Sequence, residues 1–223
     1  MPPADDRPDI MMRIRTNYLM ALNVPLYHGM TNLPLLITED DVVFAPNFNA
    51  RLSSVIWQAT VPPHLLTANT SAPNPYFVNL YTGGQVMNIT FARSQWGGLG
   101  RGDKRWSDRG VDATRVLPDR WIYGTQALLF SPSVVPGLRA FFADALQNKE
   151  LPHLQPGMWQ DYVARAFTKM FSIPTYTTEP SLVEHVGAAS SLFGNQAHNA
   201  KFHRANSFPF KAELPGDDVD GTW

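Results

Sequence analysis

Residues 39–41 are Glu39-Asp40-Asp41, three consecutive carboxylates placed directly after the apolar run LPLLIT at 33–38. A short, continuous apolar run is the pattern of a buried strand with both faces covered, so the acids are expected at its carboxyl end. In an open α/β sheet, ligands bind outside the carboxyl ends of the strands. One or two carboxylates together with substrate phosphates are also the usual way a protein holds Mg²⁺ or Mn²⁺. The triplet therefore has the chemistry to hold a divalent cation that bridges to a diphosphate. The plainer alternative is a solvated turn after a strand. A second chemical feature is the segment 93–120, where seven basic and four acidic residues are interleaved with Trp96 and Trp106, and Trp121 follows. Basic residues set among aromatics can grip phosphates and stacked bases; a solvated loop of mixed charge is an equal alternative.

These groups must be positioned by regular elements, and the hydrophobic pattern outlines them. Ile10, Ile14, Tyr18 and Leu22 recur at four-residue spacing and predict an amphipathic helix over 10–22, ended by Pro25 and Gly29. Residues 1–9 read as a disordered lead. Val42-Val43-Phe44 continues the apolar pattern after the acids, and Pro46 opens a helix to Ala59 with Phe48, Leu52, Val55 and Ile56 inward. Tyr76 to Tyr81 and Val86 to Phe91 read as strands, and 94–119 as a long surface loop of a kind usually reserved for function or mobility. Trp121 to Phe130 reads as a strand entered through the tight Gly124. Ser131 or Ser133 is expected to cap a helix over 133–147. A helix over 157–171 should bury Trp159, Tyr162, Val163, Ala166 and Phe167. Ile173 to Thr177 reads as a strand, Ser181 to Ser191 as a strand-like segment carrying His185 and Gly187, and 195–223 as a polar tail. Strands and helices alternate, which is the signature of the α/β class.

Composition removes several other classes. The chain has 223 residues, a formal net charge of −1 and no cysteine. Disulfides, thiolate metal sites and cysteine nucleophiles are thereby excluded. Charged residues make up 17%, too few for a coiled coil, while 44% hydrophobic residues is too many for a disordered chain. Charge balance argues against coating nucleic acid with the whole surface. No apolar run approaches the roughly 18 residues of a membrane span, and the acidic, proline-rich start MPPADDRPDI lacks the basic and apolar parts of a secretory signal. The simplest expected location is cytoplasmic.

The stretch LPLLITEDDVVFAPNF resembles the metal-binding segment of GT-A glycosyltransferases. Three further segments follow in that family's order. Tyr123-Gly124-Thr125-Gln126 resembles its glycine loop before a core strand. Met158-Trp159-Gln160-Asp161 resembles the acid at the head of the helix behind the acceptor site. Pro180-Ser181-Leu182-Val183-Glu184-His185-Val186-Gly187 resembles the late segment of bacterial lipooligosaccharide and N-glycan-branching transferases. The resemblance covers residues 33–193 within a single GT-A-like domain over 10–194, a Rossmann-like mixed sheet flanked by helices. It implies a metal-dependent transferase, inverting, that moves a sugar from a nucleotide-diphosphate donor to a hydroxyl of a glycan or other acceptor, with Mn²⁺ or Mg²⁺ as cofactor.

The same resemblance distributes roles. Asp41 and His185 would ligate the metal, Glu39 would reach the ribose or sugar, and Asp40 would assist either. Gly124 would let backbone amides approach the donor sugar, and Gln126 would bond sugar or acceptor hydroxyls. Asp161 would be the base that takes the acceptor proton, although its place at a helix start is also where a structural Asp is favoured and should lower its pKa. Apart from the resemblance, the basic segment would let Arg101 and Arg105 contact diphosphate or an anionic acceptor, and Trp159 and Trp121 would form an apolar stacking wall for a sugar. The family usually carries two acids where this chain has Gln160-Asp161. It also implies about a hundred residues before the acidic motif, a βαβ unit for the nucleotide base; here 38 residues precede Glu39, so that unit is expected to be truncated. Two further readings stand beside this one. The acceptor could be hydroxymethylated DNA bases, which the basic aromatic segment motivates, or the chain could be a decayed, non-catalytic sugar-nucleotide or glycan-binding module. A homo-oligomer is compatible with any of them.

Overall fold

In the computed structural model, described for residues 7–39, 42–60, 74–81, 114–118, 124–147 and 160–185, the chain alternates helices and strands. The order is α1 (Arg7–Tyr27), β1 (Leu35–Thr38), β2 (Val42–Phe44), α2 (Phe48–Thr60), β3 (Phe77–Asn79), β4 (Arg115–Pro118) and β5 (Ala127–Phe130). Then come α3 (Val135–Leu146), α4 (Gln160–Met170), β6 (Thr175–Glu179) and β7 (Val183–His185). Five strands form one mixed sheet in the order β1-β5-β3-β6-β4, and β2 pairs with β7 in a separate antiparallel ribbon. Within the sheet only β3 and β6 run parallel; the other three pairings are antiparallel.

The two-residue period of the strands sorts their side chains into two cores. Phe77, Leu128 and Phe130 point to one face, where they meet Tyr18 and Leu22 of α1, Leu138 and Phe142 of α3, and Val163 and Phe167 of α4. Val78, Ala127 and Leu129 point to the other, against Val55 and Ala59 of α2 and Leu182 and Val183 near the ribbon. Central strands β3 and β5 are therefore apolar on both sides, and all their residues are buried. Ring contacts knit the first core: Phe77 and Phe130 meet edge-on at 4.7 Å, and Tyr18 stacks on Phe142 at 5.0 Å.

The α/β expectation holds, with a mixed sheet and helices on both of its faces, and several local expectations are corrected. Helix α1 starts at Arg7, inside the expected lead, and runs through Pro25 rather than stopping there. Pro25 sits in the last turn, where its missing N–H removes one bond, and its carbonyl still accepts from Met30 N–H at 2.8 Å. Gly29, at φ +66°, ends the helix. Strand β1 lies at the sheet edge and is half-buried, not covered on both faces. Residues 115–118 of the expected surface loop form strand β4, because β6 supplies a partner and Gln58 of α2 brackets it. The Gln58 side chain donates to Thr114 C=O at 2.8 Å and accepts from Val116 N–H at 3.1 Å.

Helix α3 begins after Val134 without a side-chain cap. Ser131 is engaged elsewhere, its hydroxyl accepting Tyr76 N–H at 3.0 Å. In α4 the buried stripe is Val163, Ala166 and Phe167, which leaves Tyr162 on the solvent margin, 42% exposed. The expected strand at Val86–Phe91, residues 94–113 and 119 of the expected loop, Trp159 and the tail lie outside the described residues.

Phe142 is fully buried at the meeting point of α1 and α3, whereas Trp57 of α2 is 62% exposed. Phe142→Ala should cost about 3–5 kcal/mol of stability through the cavity it leaves. Trp57→Ala should change stability by less than about 0.5 kcal/mol. Denaturant unfolding of the two variants against the parent chain checks both values.

Candidate functional site

Antiparallel pairing makes the carboxyl end of one strand a neighbour of the amino end of the next. The register sets Thr38 of β1 opposite Ala127 of β5. One step further, Glu39 N–H donates to Gln126 C=O at 3.0 Å, prolonging the ladder past the strand. The first acid of the triplet and the glycine turn, 86 residues apart in sequence, therefore leave and enter the sheet side by side. Thr125 joins them directly: its hydroxyl donates to Glu39 Oε1 at 2.5 Å. The amino end of α4 closes the group from the other direction, where Gln160 Nε2 donates to Thr125 Oγ1 at 3.0 Å. A continuous run of hydrogen bonds thus leads from Gln160 through Thr125 to Glu39.

Gly124 adopts φ +71°, the left-handed region that glycine enters without a Cβ penalty. The Gln126 carboxamide folds back over it and occupies the space where a Cβ would stand. Next to this turn lies Asp161. Its carboxylate accepts Tyr162 N–H at 3.0 Å, with Gly124 N–H and its own backbone N–H directed at it as well, and Arg165 stands one helical turn further along. These contacts favour the ionised form, yet burial outweighs them and raises the Asp161 pKa from its ordinary value. The sequence-based expectation of a lowered pKa is corrected on this point: withdrawal from water exceeds the effect of the helix start.

Tyr18 of α1 completes the group from below. Its hydroxyl is buried and has no hydrogen-bond partner among the described residues, as is true of Gln126 Oε1 and Gln160 Oε1. Burial raises the Tyr18 pKa well above the usual phenol value, and the charges of Glu39 and Asp161 add to the effect, which places the hydroxyl within the field of both. An unsatisfied buried polar atom costs about 1–3 kcal/mol, so Tyr18, Gln126 and Gln160 leave polar atoms in the neighbourhood of Glu39 and Asp161 that the described residues do not satisfy.

The structure thus brings Glu39, Gly124, Gln126 and Asp161 together. His185 is placed by register: its Cα stands opposite Val42, the residue that follows Asp41. Asp40, Asp41, Arg101, Arg105 and Trp159 lie outside the described residues. Sequence reasoning gave no role to Thr125, although it sits inside the YGTQ motif, and counted Tyr18 only as one apolar position of α1. The available signal was its hydroxyl, the one polar atom among Ile10, Ile14 and Leu22 on that face. Gln160 stood out only as a departure from a pair of acids. Here it is the amide donor that Thr125 requires, since the threonine proton is committed to Glu39.

Two outcomes follow. Gly124→Ala should cost at least about 1–2 kcal/mol, because an L-residue in the left-handed region is strained and its Cβ would displace the Gln126 carboxamide. Asp161 retains protons in the folded chain at pH values where the unfolded chain has lost them. Its ionisation therefore lowers stability as pH rises through that window, and the penalty persists above it. Asp161→Asn should accordingly unfold at higher denaturant than the parent at pH 7, and the difference should shrink as pH falls towards 4. No family model, no curated protein and no solved structure matches this chain.

Proposed function

We propose that the chain is a metal-dependent glycosyltransferase that moves a sugar from a nucleotide-diphosphate donor to an acceptor hydroxyl with inversion. The observation that carries this reading is the junction of Glu39, Gly124–Gln126 and Gln160–Asp161. Three of the four segments that resemble GT-A transferases, scattered over more than 120 residues, meet through the Glu39–Thr125–Gln160 hydrogen bonds. The fourth is brought towards the acids by the β2–β7 register, which pairs His185 with Val42.

Asp161 is the group assigned to take the acceptor proton. A carboxylate whose pKa is raised by burial is a stronger base than an exposed one. Glu39 and Gln126 are assigned to sugar hydroxyls, and the missing Cβ of Gly124 leaves the room in which the Gln126 carboxamide is held. Asp41 and His185, with Asp40 beside them, would hold Mn²⁺ or Mg²⁺; carboxylate and imidazole donors suit Mn²⁺ in particular. When bound, the cation neutralises charge on the departing diphosphate. The acceptor is a glycan or another hydroxyl compound.

A screen of nucleotide sugars for Mn²⁺-dependent release of nucleoside diphosphate tests the reading. The parent chain should release the diphosphate from at least one donor. Asp161→Asn should lower turnover about 10²-fold or more, the scale of a lost general base, with donor binding retained. Asp41→Ala should remove the metal dependence. Turnover by Asp161→Asn at the parent rate would remove Asp161 from the chemistry, and failure of the parent to bind any donor would sink the assignment.

A further inference from the structure

We propose that Tyr18 is a substrate-binding residue of this site, its hydroxyl donating a hydrogen bond to a hydroxyl oxygen of the donor sugar between Glu39 and Asp161. The inference rests on the glycosyl-transfer reading and adds to it a residue from α1, outside every segment that carries the resemblance.

Tyr18 is 7% exposed. Its ring lies nearly parallel to that of Phe142, 20° between planes and 5.0 Å between centroids, so its hydroxyl is held in one place. That hydroxyl has no partner among the described residues. Glu39, the neighbouring acid, already receives the Thr125 proton on Oε1. A buried phenol with an idle proton is suited to a group that arrives from outside.

The other idle atoms specify the class of that group. Gln126 Oε1 and Gln160 Oε1 are buried acceptors without a partner, and Glu39 and Asp161 add acceptor oxygens. An anionic phosphate at this point would meet two carboxylates and be repelled. A bare cation would be drawn to the carboxylates but would offer the phenol proton no acceptor. A neutral group with several hydroxyls accepts from Tyr18 and donates to the amide and carboxylate oxygens, so each idle atom gains a partner. A sugar ring is such a group. A site built to bond a ligand hydroxyl also discriminates strongly against ligands that lack it, because its buried polar atoms would remain unpaired.

Tyr18→Phe in the full chain isolates the hydroxyl, since the ring, its volume and the Phe142 contact are kept. Two measurements are paired: thermal unfolding without ligand, and calorimetric titration with Mn²⁺ and UDP-glucose, UDP-galactose, UDP-N-acetylglucosamine or GDP-mannose, each compared with UDP or GDP alone. The variant should melt no lower than the parent, because the atom removed has no protein partner. Its affinity for the sugar nucleotide that the parent binds should fall about tenfold or more, as for one lost hydrogen bond in a buried site. Affinity for the bare nucleotide should stay unchanged. A lower melting temperature would assign the hydroxyl a structural partner and overturn the proposal. Unchanged sugar-nucleotide affinity would also overturn it, while leaving the transferase reading intact. If the parent binds none of the four donors, both fall together.

Discussion

The hydrogen bond from Glu39 N–H to Gln126 C=O extends the β1–β5 ladder by one step beyond the strands, and the placement of the polar groups depends on it. An antiparallel ladder fixes direction as well as distance. Once Thr38 is opposite Ala127, the residues after β1 and the residues before β5 must emerge at the same sheet end. A slip of one residue would turn Leu128 and Phe130 towards the α2 side and Leu129 towards the α3 side, exchanging the two cores. The packing of β5 therefore enforces the register, and the register enforces the meeting of Glu39 with Thr125. Core and site are two results of the same pairing.

Helix α4 contributes in a comparable way. Val163, Ala166 and Phe167 anchor it against the first core, which fixes the position of its amino end. Gln160 and Asp161 then have little freedom of placement: one side chain reaches Thr125, and the other receives backbone N–H groups, including that of Gly124. The cost is borne locally. Asp161 is withdrawn from water, and three buried polar atoms go unpaired. Natural chains concentrate such violations at functional positions, where a bound group can relieve them.

Much of this was legible from residue types and spacing. The apolar run before the acids, the helix of Phe48, Leu52 and Val55, and the glycine-led strand into Leu128-Leu129-Phe130 all appear near their expected places. The differences have tertiary causes. Pro25 is tolerated because its place in the last turn of α1 costs only one bond, and β4 exists because β6 and Gln58 offer it partners. In the site, the grouping of Glu39, Gly124, Gln126 and Asp161 was reachable through resemblance. Thr125 and Tyr18 were not, since their importance arises from a register and from helix packing that no local pattern encodes. The direction of the Asp161 pKa was also out of reach, because desolvation depends on neighbours far away in sequence.

The strand order β1-β5-β3-β6-β4 carries a kinetic consequence. Among the described residues, no two neighbours in this sheet are consecutive strands, so none of its pairings is a local hairpin that could form first and template the rest. Each pairing requires closing a long loop before any reward arrives, which raises contact order and slows folding. Among the described residues the helices are the elements that can form locally, and the apolar strand segments of this sheet wait for distant partners. The polar group around Glu39 and Asp161 can take shape only after segments from α1 to α4 have come together. It is a late product of folding, and no shorter stretch of this chain contains all of its parts.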